Sequence, residues 1–223
     1  MKAKIADIFE SVQGEGLYVG EKQIFVRFFG CNLNCRFCDT KLKSFKEYAP
    51  DELLKKLKSY RDNYHSVSFT GGEPLLHSDF LKETLKLTRP CGFRHYLETN
   101  GTLPDKLESV IDHIDIVAMD AKLPSSTGLP GFWEAHAEFL KIASRKEVFI
   151  KAIICADTAE EDLRCTIEMI KSVHKSAILV LQPDSNDNCK LLEKKLGDFR
   201  DICFQERIPT CVIPQLHKIL GLL

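Results

Sequence analysis

The sequence has no long apolar run, no excess of one charge and no fourth cysteine or nearby histidine beside its most tightly spaced cysteines. No stretch approaches the roughly 20 apolar residues that cross a bilayer. The opening segment, Met1 to Glu10, carries no apolar core of the kind that directs secretion. A cytoplasmic protein without membrane contact is therefore expected. Lys and Arg number 31 against 32 Asp and Glu, a net charge of −1. Nucleic-acid binders displace counterions with a basic excess, so no direct nucleic-acid partner is expected. Internal repeats and long charge runs are also missing. What remains is an ordinary globular composition, 44% apolar and 28% charged over 223 residues. That length suits one domain spanning residues 1–223.

Cysteine is present in an odd number, nine. In a reducing compartment disulfides are not expected, and clustered thiols point to metal or catalysis. Cys31, Cys35 and Cys38 form a C-x3-C-x2-C pattern, while Cys91, Cys155, Cys165, Cys189, Cys203 and Cys211 are scattered. The scattered six read as small buried hydrophobes. The next histidine after the cluster is His65. Structural zinc takes four ligands, and so does an ordinary [4Fe–4S] cluster. Three thiolates from one loop would leave one iron open to a small chelating molecule. A zinc knuckle or a redox pair stays open on the thiols alone.

Along the chain, strands are expected over residues 3–9, 23–29, 66–70, 93–97, 114–119, 147–154, 177–181 and 210–213. Helices are expected over 50–64, from Ser78 as N-cap to before Pro90, and over 104–111, 132–143 and 188–200, with a closing turn or helix over 215–220. One more is expected to open at a capping box, Thr158-Ala-Glu-Glu161. Residues 124–131, rich in Ser, Gly and Pro, read as a loop. Alternating strand and helix, repeated about six times, favours a parallel α/β sheet. Chemically versatile residues recur just after strand ends: the thiols, Gly71-Gly72-Glu73, Glu98, Asp120 to Lys122, and Gln182. Ligands gather at that edge of α/β sheets. Ser11-Val-Gln-Gly-Glu-Gly16 reads as a tight turn or as a loop approaching a ligand. Arg27 interrupts the apolar run Gln23 to Phe29, so it faces outward or meets an anion.

Cys31-x3-Cys35-Arg-Phe37-Cys38, followed at a strand end by Gly71-Gly72-Glu73-Pro74, resembles the paired hallmark of the radical S-adenosylmethionine (SAM) superfamily. The narrower resemblance is to the 7-carboxy-7-deazaguanine synthase family of queuosine and deazapurine biosynthesis. It is carried by residues 12–16, 24–27, 31–40, 69–74, 98–102, 120–126, 182–183 and 214–221, close to the whole chain. It implies a trimmed partial (βα) barrel of about six parallel strands. It also implies a [4Fe–4S] cluster on Cys31, Cys35 and Cys38, with SAM at the open iron. Phe37, Cys38, Asp39, Gly72, Glu73, Asp120, Ala121, Lys122 and Gln182 would line the SAM site. Val12, Gln13, Gly14, Arg27 and Thr70 would hold a pterin, and Thr40 would give an oxygen to Mg²⁺.

The implied reaction converts 6-carboxy-5,6,7,8-tetrahydropterin to 7-carboxy-7-deazaguanine with loss of ammonia. An adenosyl radical takes hydrogen from C6, the ring contracts, and hydrogen return regenerates SAM. A homodimer and an external, flavodoxin-like electron donor are implied with it. Asp120-Ala121 stands where some relatives have Ser-Pro. The chain ends in Leu223, where some relatives place a substrate-contacting proline. Two other readings share features. A radical SAM activase would need the thiols and Gly-Gly-Glu but not the Gln-Gly-Glu-Gly loop, Arg27 or Cys-Asp-Thr. A non-catalytic iron–sulfur or zinc module would not need Gly-Gly-Glu.

Overall fold

The computed structural model describes residues 1–38, 42–60, 63–187, 189–219 and 221. In chain order the elements are β1 (Ala3–Val12), β2 (Lys22–Phe28), β3 (Lys46–Tyr48), α1 (Pro50–Leu57), β4 (Ser66–Gly71) and α2 (Ser78–Thr88). They continue with β5 (His95–Thr99), α3 (Pro104–Glu108), β6 (Ile116–Asp120), α4 (Pro124–Thr127), α5 (Trp133–Ala143) and β7 (Glu147–Ile154). The last are α6 (Glu160–Val173), β8 (Ile178–Pro183), α7 (Cys189–Gln205), β9 (Thr210–Val212) and α8 (Leu216–Ile219). None of the described helices is long and apolar enough to cross a membrane.

All strands join one nine-stranded sheet in the order β3-β1-β2-β4-β5-β6-β7-β8-β9. From β2 through β4 to β9 every neighbour is parallel; β1 runs antiparallel to both β2 and β3. The sheet stays open, with β3 and β9 as its edges. The parallel run is thus one strand longer than the expected six or so. The short β3 lay below any periodic signal in the sequence.

Period-2 alternation splits each central strand between two environments. One set, including Val26, Phe69, Leu97, Val117, Ile150 and Leu179, packs under the helices in the main core. The other set lies inside the curve of the sheet. Near the strand starts it is apolar, with Tyr96, Ile116, Phe149 and Val180 in a second cluster. Two residues further along the same face come Glu98, Ala118, Lys151 and Gln182, and Asp120 follows Ala118. The inner face therefore turns from apolar to polar toward the carboxyl edge, and this gradient positions the site.

Some local expectations change. Ser78 is the first residue of α2 rather than its cap, because a 3₁₀ turn over Pro74–His77 runs straight into the helix. The capping box at Thr158 does not form, and α6 is capped at Ala159. The Thr158 hydroxyl instead accepts from Cys155 N at 2.7 Å and meets Ser126 Oγ at 2.7 Å, tying two loops together. Helix α1 stops at Leu57, short of the expected residue 64. The expected loop 124–131 begins with one helical turn, α4, closed by Gly128 in the left-handed region (φ 73°). Among the scattered thiols, Cys155 and Cys203 are buried as expected, Cys165 and Cys211 are half-buried, and Cys91 is exposed.

Candidate active site

The thiol loop leaves β2 at Phe28 and is seated on the end of β4. Gly72 N donates to Phe28 O at 3.0 Å, and Glu73 N donates to Gly30 O at 2.8 Å. A Cβ at Gly72 would lie 1.9 Å from Gly30 O, and one at Gly71 (φ +124°) would lie 2.3 Å from Phe28 O. Backbone atoms cannot give way as a flexible side chain can, so both positions require glycine. Beyond the seat, Arg36 N donates to Thr127 O at 2.9 Å, fixing the loop's far side to α4. Leu33 N (3.4 Å) and the Asn100 side-chain amide (3.9 Å) point at Cys31 Sγ. Burial pushes the Cys31 and Cys35 thiols up.

Cys31, Cys35 and Cys38 all line one cavity of about 420 Å³ at the carboxyl edge of the sheet, a volume typical of small-molecule sites. None of the three is in a disulfide. Among the described residues no group of three His, Cys, Asp or Glu is placed to hold a single metal ion. Three thiols on one cavity rim are the donor set that a polynuclear iron–sulfur cluster takes.

The cavity floor is polar and largely paired. Glu98 accepts from Gln13 Nε2 (2.8 Å) and Ser68 Oγ (3.1 Å) on one oxygen, and from Thr70 Oγ1 (2.9 Å) on the other. Arg27 lies on the inner face, its guanidinium 5.0 Å from the centre of the Phe9 ring. It lines the cavity, which settles its direction as inward, and it makes no ion pair with a described residue. A line of alternating charge crosses the floor. Glu15 contacts Lys151; Lys151 lies 3.9 Å from Asp120; Asp120 accepts from Lys122 at 2.7 Å. Burial alone would raise Glu15, but Lys151 outweighs it and holds the carboxyl below its usual range. Lys122 and Lys151 are pushed up against the effect of burial, by Asp120 and by Glu15 respectively. Gln215 donates to Glu15 at 2.8 Å, and Leu216 N donates to Gly14 O at 2.8 Å, so the segment before α8 holds the Gln-Gly-Glu loop.

Most residues singled out from the sequence meet at this cavity: Val12, Gln13, Gly14, Arg27, Phe37, Thr70, Gly72, Asp120 and Lys122 line it with the thiols. Three do not reach its wall. Ala121 is buried in the main core. Glu73 is wholly buried, its carboxylate accepting from Leu75 N (3.0 Å), Thr99 Oγ1 (2.9 Å) and Asn100 N (2.8 Å). Burial pushes its carboxyl up to about 7. Gln182 is wholly buried next to Glu15, and neither of its amide atoms has a hydrogen-bond partner among the described residues. Asp39, Thr40 and Leu223 lie outside the described residues. The sequence reading left Glu15, Lys151, Asn100 and Gln215 without a role. Lys151 did carry a signal, a single charge at an inward position of the apolar run Val148 to Ile154.

Thiols and glycines at the carboxyl edge of an open parallel sheet define a class, and residues 25–170 match the radical SAM superfamily. Membership implies an iron–sulfur cluster and SAM. The chain is 37% identical to the 7-carboxy-7-deazaguanine synthase of Archaeoglobus fulgidus, over 99% of each chain. It is 32% identical to that of Geobacter sulfurreducens, over 98% of this chain and 97% of the other. Within the superfamily the chain belongs to the 7-carboxy-7-deazaguanine synthase family. The crystal structure of QueE from Escherichia coli shares the fold, with a TM-score of 0.67 at 21% identity over 95% of this chain and 93% of that one.

Proposed function

We propose that this protein converts 6-carboxy-5,6,7,8-tetrahydropterin to 7-carboxy-7-deazaguanine and ammonia, acting as a single domain over residues 1–223. The observation that carries the reading is the pairing of Arg27 and Glu98 in one cavity with the three thiols. A carboxypterin presents a carboxylate at one end and an amino-pyrimidine rich in N–H groups at the other. Arg27, stacked on Phe9 and lacking a described anion, suits the carboxylate. Glu98 suits the N–H edge, and its three protein donors hold its carboxylate oriented. Family membership supports the same substrate.

Cys31, Cys35 and Cys38 would hold the [4Fe–4S] cluster. Phe37, Gly72 and Lys122 would line the SAM site beside it, with Cys38, Asp39 and Asp120, while Glu73, Ala121 and Gln182 would support it from behind the wall. Glu73 would act there through the backbone it braces. The chemistry these groups supply when bound is hydrogen abstraction from C6 by an adenosyl radical. Val12, Gln13, Gly14 and Thr70 would fix the pterin, with Thr40 as a Mg²⁺ ligand. The Glu15–Lys151–Asp120–Lys122 line leaves no uncompensated charge under the ligands. A homodimer and an external one-electron donor complete the proposal.

Anaerobic reconstitution with iron, sulfide, SAM, Mg²⁺, a reductant and the carboxypterin tests it. Product that requires Cys31 and falls when Mg²⁺ is chelated is expected. SAM cleavage without a deazaguanine product would overturn the substrate assignment.

A further inference from the structure

The thiol loop is tied to the end of β5 as well as to β4. Asn100, the residue after β5, is 5% exposed. Its side-chain oxygen accepts from Thr102 N at 3.0 Å and from Thr102 Oγ1 at 2.6 Å. A backbone N–H can only donate, so Thr102 N fixes the oxygen end of the amide and turns its NH2 end toward the thiol loop. There one N–H donates to Asn32 Oδ1 at 2.9 Å, and the same nitrogen lies 3.9 Å from Cys31 Sγ. Asn32 Nδ2 donates back to Thr102 Oγ1 at 2.9 Å, closing a ring of three side chains. The Asn100 main chain is held too: its N–H donates to Glu73 at 2.8 Å, and its carbonyl meets His136 Nε2 at 3.1 Å. An amide anchored on every side thus presents a donor to the first sulfur of the loop, beside the Leu33 N–H at 3.4 Å.

We infer that Asn100 is a positioning residue for the redox behaviour of the site: its amide favours negative charge on the Cys31 sulfur and so makes the cluster easier to reduce. The inference rests on the proposed cluster at Cys31, Cys35 and Cys38. On reduction the cluster gains one electron from the donor, which loses one; no bond in the chain forms or breaks. The added charge spreads onto the sulfur ligands, and an N–H binds a charged acceptor more strongly than a neutral one. Hydrogen bonds to ligand sulfurs are among the levers that set the potential of an iron–sulfur cluster. The Leu33 donor comes with the loop itself. Asn100 is the side-chain donor that the end of β5 brings to it.

The test titrates reconstituted holoenzyme anaerobically with dithionite, without SAM or pterin. Reduced cluster is read by electron paramagnetic resonance against the measured potential. Asn100→Leu keeps the bulk of the side chain but has no N–H; Asn100→Ala is the second variant, should the larger side chain load poorly. In each, the ratio of reduced to oxidised cluster at a given potential is expected to fall about tenfold, a downward shift of about 59 mV for one electron. Thr102→Val is the control for a purely structural clamp. It breaks both hydroxyl bonds of the ring yet keeps the Thr102 N–H on Asn100. Its iron content is expected to drop below wild type while its reduced-to-oxidised ratio stays within about twofold. Unchanged potentials in the loaded Asn100 variants would overturn the inference. So would an equal fall in Thr102→Val, or iron binding that fails in both Asn100 variants, since the amide would then only seat the loop. If the wild type itself forms no reducible cluster, the functional reading fails and the inference falls with it.

Discussion

Glu98 gathers donors from two neighbouring segments, Gln13 just past β1 and Ser68 and Thr70 on β4, and still lines the cavity. Glutamine has nearly the same shape but no charge, and its NH2 group would face donors that already point at that site. A hydrogen bond to a charged group contributes about 1.5–3 kcal/mol. Glu98→Gln is therefore expected to lower kcat/KM for the pterin about 10- to 100-fold, chiefly through KM, while unproductive SAM cleavage persists. Anaerobic steady-state kinetics checks this, and an unchanged KM would remove Glu98 from substrate recognition. At this scale the sequence was legible where a charge broke an apolar strand. Arg27 showed that signal within a motif; Lys151 showed it without one and so carried no assignment. Asn100 lay in one of the motif stretches, 98–102, but without a role, because its approach to Cys31 is made by folding and not by periodicity. Glu73 illustrates the opposite limit: a motif residue near the site whose carboxylate faces the protein interior.

The thiol loop and the end of β4 form one unit. Their main chains exchange Gly72 N–Phe28 O and Glu73 N–Gly30 O bonds over a gap that leaves no room for a side chain. A methyl at Gly72 meets backbone, so the loop itself would have to move. Gly72→Ala is expected to fold less stably by several kcal/mol and to bind under about half the iron of wild type after reconstitution. Iron and sulfide assays with thermal melts read both quantities. Full iron loading in that variant would show that the seat does not govern the loop. The strands and their order were readable from apolar runs and crossover lengths. Caps were not. Ser78 and Thr158 have the right chemistry for helix starts, but a preceding 3₁₀ turn and loop-to-loop hydrogen bonds displaced them. Strand β3 was illegible because three residues, two of them exposed, make a strand only when β1 is there to pair with.

Across the whole molecule, two buried titrating groups grip the main chain of Asn100 in opposite senses, one at its N–H and one at its C=O. Glu73 accepts from Asn100 N at 2.8 Å, while His136 Nε2 lies 3.1 Å from Asn100 O and so carries the proton. His136, on α5, is fully buried against the Phe132 and Trp133 rings, its Nδ1 without a described partner. Burial lowers its pKa from 6.5 to about 4, with Lys122 adding to that shift and Asp120 and the bond to Asn100 opposing it. The unfolded chain thus takes up this proton as pH falls through 6.5, while the folded chain takes it up only near 4. The contribution of neutral His136 is complete above pH 6.5 and lost by pH 4, a change of about 3 kcal/mol. Glu73 runs the other way. Burial raises it from 4.5 to about 7, against its hydrogen bonds and Lys122, so its contribution is complete below pH 4.5 and lost as pH rises through 7. The two slopes oppose each other over the overlapping range, and the wild-type profile alone would hide both. Subtraction separates them. His136→Gln keeps a donor for Asn100 O but does not titrate. The stability of wild type minus that of His136→Gln, from chemical denaturation at stepped pH, is expected to rise by about 3 kcal/mol between pH 4 and 6.5. The matching difference for Glu73→Gln is expected to fall between pH 4.5 and 7. A flat His136 difference curve would mean that the imidazole finds a partner for its second proton in the folded protein, and that the grip on Asn100 does not depend on its being neutral.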